Sequence, residues 1–203
     1  MTQNHKNNDA RNDNLQLLSR RKFIGGVVAL VGVSTFSNMA FASVPRKMVT
    51  LSKPKPSRVL AFESLHTGEK IKLTYWEKGK YVKGALSEIN HILRDHRTGD
   101  VARIDIELLD QLHILHQKIE SRSPFLVISG YRSPKTNAML HDASSGVAKK
   151  SMHTKGKAID IRLEDADLAN IHRAALAMNA GGVGYYPESR FVHIDTGAVR
   201  HWG

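Results

Sequence analysis

His153, Asp160 and His193 have the residue types and the spacing to hold a divalent metal ion. In Arg190-Phe191-Val192-His193-Ile194-Asp195, period-two alternation sends Val192 and Ile194 to one face and Phe191, His193 and Asp195 to the other. The same rule turns Ile159, Ile161 and Leu163 toward a core and Asp160 away from it. A carboxylate so placed has to be solvated, paired or bound to a cation. His153 precedes Asp160 by seven residues, and Gly156 between them lets the chain fold back so that loop and strand meet at one ion. Two imidazoles and one carboxylate give zinc three protein ligands and leave a fourth position for water, the composition of a catalytic rather than a closed structural site. The chemistry that follows is metal-assisted hydrolysis.

Among eleven histidines, one His near one Asp means little, and a buried His hydrogen-bonded to Asp is commoner than a ligand. The weight rests on the whole arrangement, Ser151-Met152-His153-Thr154-Lys155-Gly156-Lys157-Ala158-Ile159-Asp160-Ile161 followed by Phe191 to Asp195. The chain has no cysteine, which excludes thiolate sites, disulfides and a Cys nucleophile. A non-haem iron triad built on His193 and Asp195 with a further His is a competing arrangement, but it leaves Asp160 without a role.

At these residues the chain resembles the LAS group of zinc peptidases, which spans lysostaphin-type enzymes, D-Ala-D-Ala carboxypeptidases and the hedgehog signalling domain. The resemblance runs from about Phe125 to Trp202. Ser129-Gly130-Tyr131-Arg132-Ser133, Gly181-Gly182-Val183-Gly184-Tyr185 and Phe191-Val192-His193-Ile194-Asp195-Thr196-Gly197 are most similar to the YcbK branch, the murein endopeptidase K type. It implies an α+β fold with a small antiparallel sheet flanked by helices. It also implies zinc on His153, Asp160 and His193, and hydrolysis of peptide cross-links in peptidoglycan, with diaminopimelate cross-links the expected target. Arg132 and Ser133, at the exit of a strand, would bind the substrate, with the Arg132 guanidinium on a stem-peptide carboxylate or on the developing oxyanion.

The general base is open between two acids. Several members of the group carry an acid or His just before the third ligand, whereas position 190 is Arg and the nearest upstream acid is Glu188. Asp195 is on the ligand face but two residues past His193, where it either accepts the proton or orients an imidazole. A chain with no base would be a catalytically silent, zinc-containing peptidoglycan-binding module. His113 and His116 read as ordinary helix residues, His141 and His201 as surface imidazoles or accessory cleft groups, Tyr185 and Tyr186 as packing or stacking rings, and Lys149-Lys150 as a solvated pair.

These residues need elements to position them. Residues 59–65 and 70–76 read as a hairpin around His66-Thr67-Gly68-Glu69. Ile89, Ile92 and Leu93, then Ile104, Leu108, Leu112 and Leu115, predict two amphipathic helices, the second ending near Glu120. Residues 125–128 read as a buried strand delivering Arg132 to a loop. A short helix over 136–140, a strand over 158–163, a helix over 165–178 and strands over 183–186 and 190–195 complete an α+β pattern without regular βαβ alternation.

The N-terminal region reads as an address. Ser19-Arg20-Arg21-Lys22-Phe23-Ile24 is a twin-arginine signature, residues 24–36 are apolar, and Ala40-Phe41-Ala42 suits cleavage, giving a signal over 1–42, a basic extended lead-in over 43–57 and a peptidase domain over 58–203. The apolar run is shorter than the roughly 20 residues of a membrane span. No stable span is therefore expected after cleavage. Without residues 1–42 the formal charge falls from +11 to +8, which favours anionic partners. A periplasmic location removes nucleic acid from that set and leaves cell-wall polymer and membrane surface; peptidoglycan stem peptides are the expected partner and a monomer the expected form.

Overall fold

The computed structural model describes residues 56–203 apart from residue 145. The signal expected over 1–42 and nearly all of the lead-in lie outside the described residues.

Strand β1 (Ser57–Ser64) buries Leu60, Phe62 and Ser64 in alternation and turns into β2 (Lys70–Glu77) and the short β3 (Lys80–Tyr81). Helix α1 (Lys83–Ile92) buries Ala85, Ile89 and Ile92, and α2 (Ile106–Ile119) buries Leu108, Leu109, Leu112 and Leu115, the three-and-four spacing of an apolar stripe. The Asp105 side chain caps α2 by accepting from Glu107 N. Strand β4 (Phe125–Ser129) leads to α3 (Pro134–Ala143), and β5 (Ala158–Arg162) to α4 (Leu168–Met178). Strands β6 (Gly182–Tyr186), β7 (Phe191–Asp195) and β8 (Arg200–Trp202) finish the chain.

All eight strands join one sheet in the order β3-β2-β1-β4-β5-β7-β6-β8. The α+β expectation holds, with a larger and more mixed sheet than the pattern suggested, since β1 runs parallel to β4 and β6 parallel to β8. Helix α4 starts at Leu168, not 165, because the Asp165 carboxylate accepts from Ser121 Oγ and from the backbone N–H groups of Arg122 and Ser123 and so ties down the α2–β4 turn. Helix α2 packs against α4 and β1, and α4 against β6 and β7. Leu108, Leu112, Phe62, Phe125, Ile159, Ile161, Val192 and Ile194 fill the core beneath them. That fixes one face of β5 and β7 as apolar and frees the other for chemistry. Among the described residues no helix is long and apolar enough to cross a membrane.

Candidate metal centre

Sheet register places Asp160 directly opposite His193 across β5 and β7, with Ser129 on the far side of Asp160 and Gly184 on the far side of His193. Trp202 of β8 pairs in turn with Gly184. Ser129, Asp160, His193, Gly184 and Trp202 thus form a row across five strands.

His153 joins this row from a single 3-10 turn, Met152–Lys155, whose cap is the Ser151 hydroxyl accepting from His153 N at 3.3 Å. Gly156 ends the turn at φ 65°, and a Cβ there would lie 2.2 Å from the Arg103 carbonyl oxygen, so only glycine admits this return toward β5.

The three ligand-type atoms lie within 4.8 Å of one another, on buried side chains. His153 Nδ1–H donates to the Gly130 carbonyl at 2.7 Å, and His193 Nε2–H donates to Asp195 Oδ2 at 2.9 Å. Each ring therefore turns its other nitrogen, a lone pair, inward. His153 Nε2 and His193 Nδ1 are 3.2 Å apart, and Asp160 Oδ1 lies 3.2 Å from the first and 2.8 Å from the second. Two lone pairs and a carboxylate oxygen converging without a donor need a positive charge between them, a proton or a metal ion. The donor set suits zinc, and the remaining ring N–H groups are already held by outer partners.

The electrostatics agree with that demand. Burial alone would raise the Asp160 pKa, but the two imidazoles reverse it and hold the carboxyl well below its usual range. Burial pulls His193 down, yet hydrogen bonds to Asp160 and Asp195 outweigh it and push the metal-free imidazole up to about 9.

The cluster opens into a cleft of about 380 Å³ that Arg132, Tyr186, Phe191 and Trp202 also line. Tyr186 stacks on Phe191 with ring centroids 4.4 Å apart and accepts a 2.8 Å hydrogen bond from Trp202 Nε1. Arg132 Nη2 donates to Ser129 Oγ at 3.3 Å and stands 3.7 Å from Asp160 Oδ2, while its buried Nε has no hydrogen-bond partner among the described residues. The loop carrying it is pinned by buried Asp95, which accepts from Ser133 N at 2.8 Å. Sequence reasoning missed Asp95, which stands in an aperiodic loop with nothing to mark it.

Other candidates sit elsewhere. Ser133 is buried with its hydroxyl capping α3, accepting from Thr136 N at 3.2 Å, and is not among the residues that line the cleft. Asp195 is fully buried behind the His193 ring, and its oxygens also accept from Gly182 N, Gly197 N and Arg200. That position suits an orienting group, and because Asp195 binds the outer nitrogen of His193, the iron triad does not form. Glu188 is exposed in the β6–β7 turn, beside cleft-lining Ser189. Among the described residues lining the cleft, Asp160 is the only carboxylate. His113 and His116 bond the backbone carbonyls of Val59 and Ser123, His141 that of Val147, and His201 is exposed on β8. Tyr185 stacks on His172 of α4, 4.6 Å away, whereas Lys150 borders the cleft. A larger groove of about 1030 Å³, bordered by Arg162, Asp165, Asn170 and Arg190, contains no histidine and stands apart from this chemistry.

An α+β domain in which a His, an Asp seven residues on and a distant His meet in one open cleft is the arrangement of the LAS-type metallopeptidases. The model of the family described as Peptidoglycan L,D-endopeptidase MepK matches residues 52–202, and the chain belongs to that family. It is 49% identical to the peptidoglycan L,D-endopeptidase MepK of Escherichia coli K12 over 185 residues, 91% of this chain and 97% of that protein. The probable peptidoglycan L,D-endopeptidase MepK of Haemophilus influenzae is 38% identical over 186 residues, 91% of this chain and 95% of its own length.

Proposed function

We propose that this protein is a zinc-dependent L,D-endopeptidase that cuts peptide cross-links of peptidoglycan, diaminopimelate-to-diaminopimelate links first among them. The observation that carries this reading is the convergence of His153 Nε2, Asp160 Oδ1 and His193 Nδ1 in one cleft. Relatives that match nearly the whole chain and are named peptidoglycan L,D-endopeptidase support the L,D-endopeptidase part of it.

Zinc, when held by these three residues, supplies Lewis acidity toward a carbonyl and acidifies water. The chain's own residues do the rest. The Gly130 carbonyl and Asp195 fix the tautomers of His153 and His193. Arg132 presents its guanidinium to a stem-peptide carboxylate or to the developing oxyanion. Tyr186, Phe191 and Trp202 give the peptide an apolar wall and displace water from it. Glu188 is the proposed proton acceptor, since Asp195 has both oxygens occupied while Glu188 is exposed in the turn next to cleft-lining Ser189. Peptidoglycan as substrate places the protein outside the cytoplasm. The Arg20-Arg21 signature is the proposed route there, and the monomer the proposed active form.

Zinc-loaded protein incubated with purified sacculi should release the products of L,D cross-link cleavage on separation of muropeptides. His193→Ala should release none while keeping its fold. Intact cross-links after treatment with metal-loaded wild type would reduce the protein to a wall-binding module.

A further inference from the structure

Arg200 and Trp202 occupy positions i and i+2 of β8 and so share a face, and the register of β8 on β6 sets Arg200 against Gly182 and Trp202 against Gly184. On the other side of β6, Gly184 faces His193 across the β6–β7 pairing, and Gly182 N donates to Asp195 Oδ1 at 3.1 Å. Because neither intervening position bears a side chain, groups on β8 reach over β6 to groups on β7. Arg200 Nη2 donates to Asp195 Oδ2 at 2.7 Å and Nη1 to Oδ1 at 3.1 Å, a bidentate pair. A Cβ on Gly182 would stand 2.5 Å from both Arg200 Nη1 and Asp195 Oδ2. One on Gly184 would stand 2.7 Å from the Trp202 ring.

Asp195 is fully buried, and a buried carboxylate that orients a buried imidazole needs its own charge compensated and its own rotamer fixed. Among the described residues Arg200 is the only Lys or Arg whose cation lies within ion-pair distance of it. The guanidinium is itself held by the Ala198 carbonyl at 3.0 Å and by the Trp202 ring, 5.0 Å from its carbon to the ring centroid.

We propose that Arg200 is a positioning residue for the metal site. It locks Asp195, Asp195 locks the His193 ring, and the ring's inward nitrogen is thereby aimed at the point that His153 and Asp160 also face. The proposal rests on His193 being a zinc ligand. The Arg200 side chain is also 44% exposed and borders the cleft, so direct reading of a substrate carboxylate is the competing role that the test must separate. The bidentate pairing to Asp195 favours positioning.

The test measures zinc affinity by chelator competition, together with kcat and KM at saturating zinc, for wild type, His193→Ala, Arg200→Met and Arg200→Lys. Arg200→Met keeps an unbranched stem against Trp202 and removes the charge. Its zinc Kd should rise about 10–100-fold, the usual effect of losing an outer partner of a ligand. Arg200→Lys should recover part of that loss. In both variants KM should stay near the wild-type value. A folded Arg200→Met with zinc affinity within twofold of wild type overturns the proposal, and so does an increase in KM at unchanged zinc affinity, which would make Arg200 a reader of substrate. Should Arg200→Met fail to fold by circular dichroism, Arg200→Gln takes its place under the same criteria. Wild type that binds no zinc removes the underlying reading and the proposal together. Stoichiometric zinc lost in His193→Ala secures the reading and leaves the Arg200 variants to decide the inference alone.

Discussion

His153 Nε2 and His193 Nδ1 face each other at 3.2 Å while their opposite ring nitrogens already donate to Gly130 and Asp195. Without metal, the pair and Asp160 can be reconciled only by a bound proton, and the His193 pKa of about 9 expresses that. A group whose folded pKa is raised contributes stability fully below its unfolded value and loses it as pH climbs through the folded one. The window here runs from the ordinary histidine value of 6.5 to about 9. Metal-free protein should therefore melt at progressively lower temperature across that window. Zinc competes with the same proton, so the gap in Tm between zinc-loaded and chelator-treated protein should widen with pH. Paired thermal melts from pH 6 to about 9.5 read both trends, and a flat metal-free curve would mean that the pair holds no such proton.

Asp195→Asn separates orientation from proton transfer. If Asp195 orients His193, zinc affinity should fall about 10–100-fold while the rate at full zinc occupancy stays within an order of magnitude of wild type. A rate collapse with affinity intact would return the proton-acceptor role to Asp195.

Glu188→Gln makes the complementary test. The general base contributes typically 10²- to 10⁴-fold, so the rate should drop by roughly that factor with zinc affinity and melting temperature unchanged. A variant that digests sacculi at the wild-type rate would move the acceptor to another group.

Gly156→Ala should cost roughly 1–3 kcal/mol in urea denaturation, because a side chain at φ 65° is strained and its Cβ would strike the Arg103 carbonyl 2.2 Å away. Relief of that clash moves the turn that carries His153, so zinc affinity should fall along with the midpoint. An unfolding curve superimposable on wild type would show that the return between His153 and Asp160 is looser than its geometry.

That Asp160 and His193 leave the core was legible because alternation is a local rule, with Ile159, Ile161, Val192 and Ile194 taking the apolar face; their pairing across β5 and β7 is a matter of register between distant segments. His153 was legible through Gly156. What lay hidden depends on partners far away in sequence. Strand β8 has three residues, too few for a periodic signal, and its parallel pairing with β6 is set by tertiary packing. Arg200 therefore carried no mark of its link to Asp195. Ser133 shows two local signals in conflict, since a serine followed by proline and, three residues on, by Thr136 is a helix cap before it is a ligand contact. Asp165 extended the predicted helix for a similar reason, its carboxylate being spent on the preceding turn.

Gly182 and Gly184 make β6 only one backbone thick on its reactive side. On the proposed reading, the outermost strand acts on the zinc site without contributing a ligand, so a change in its aromatic or cationic side chains alters the site while the ligands stay fixed. Reactivity in such a sheet is adjustable from its margin, and the bare strip in between is the part least free to vary.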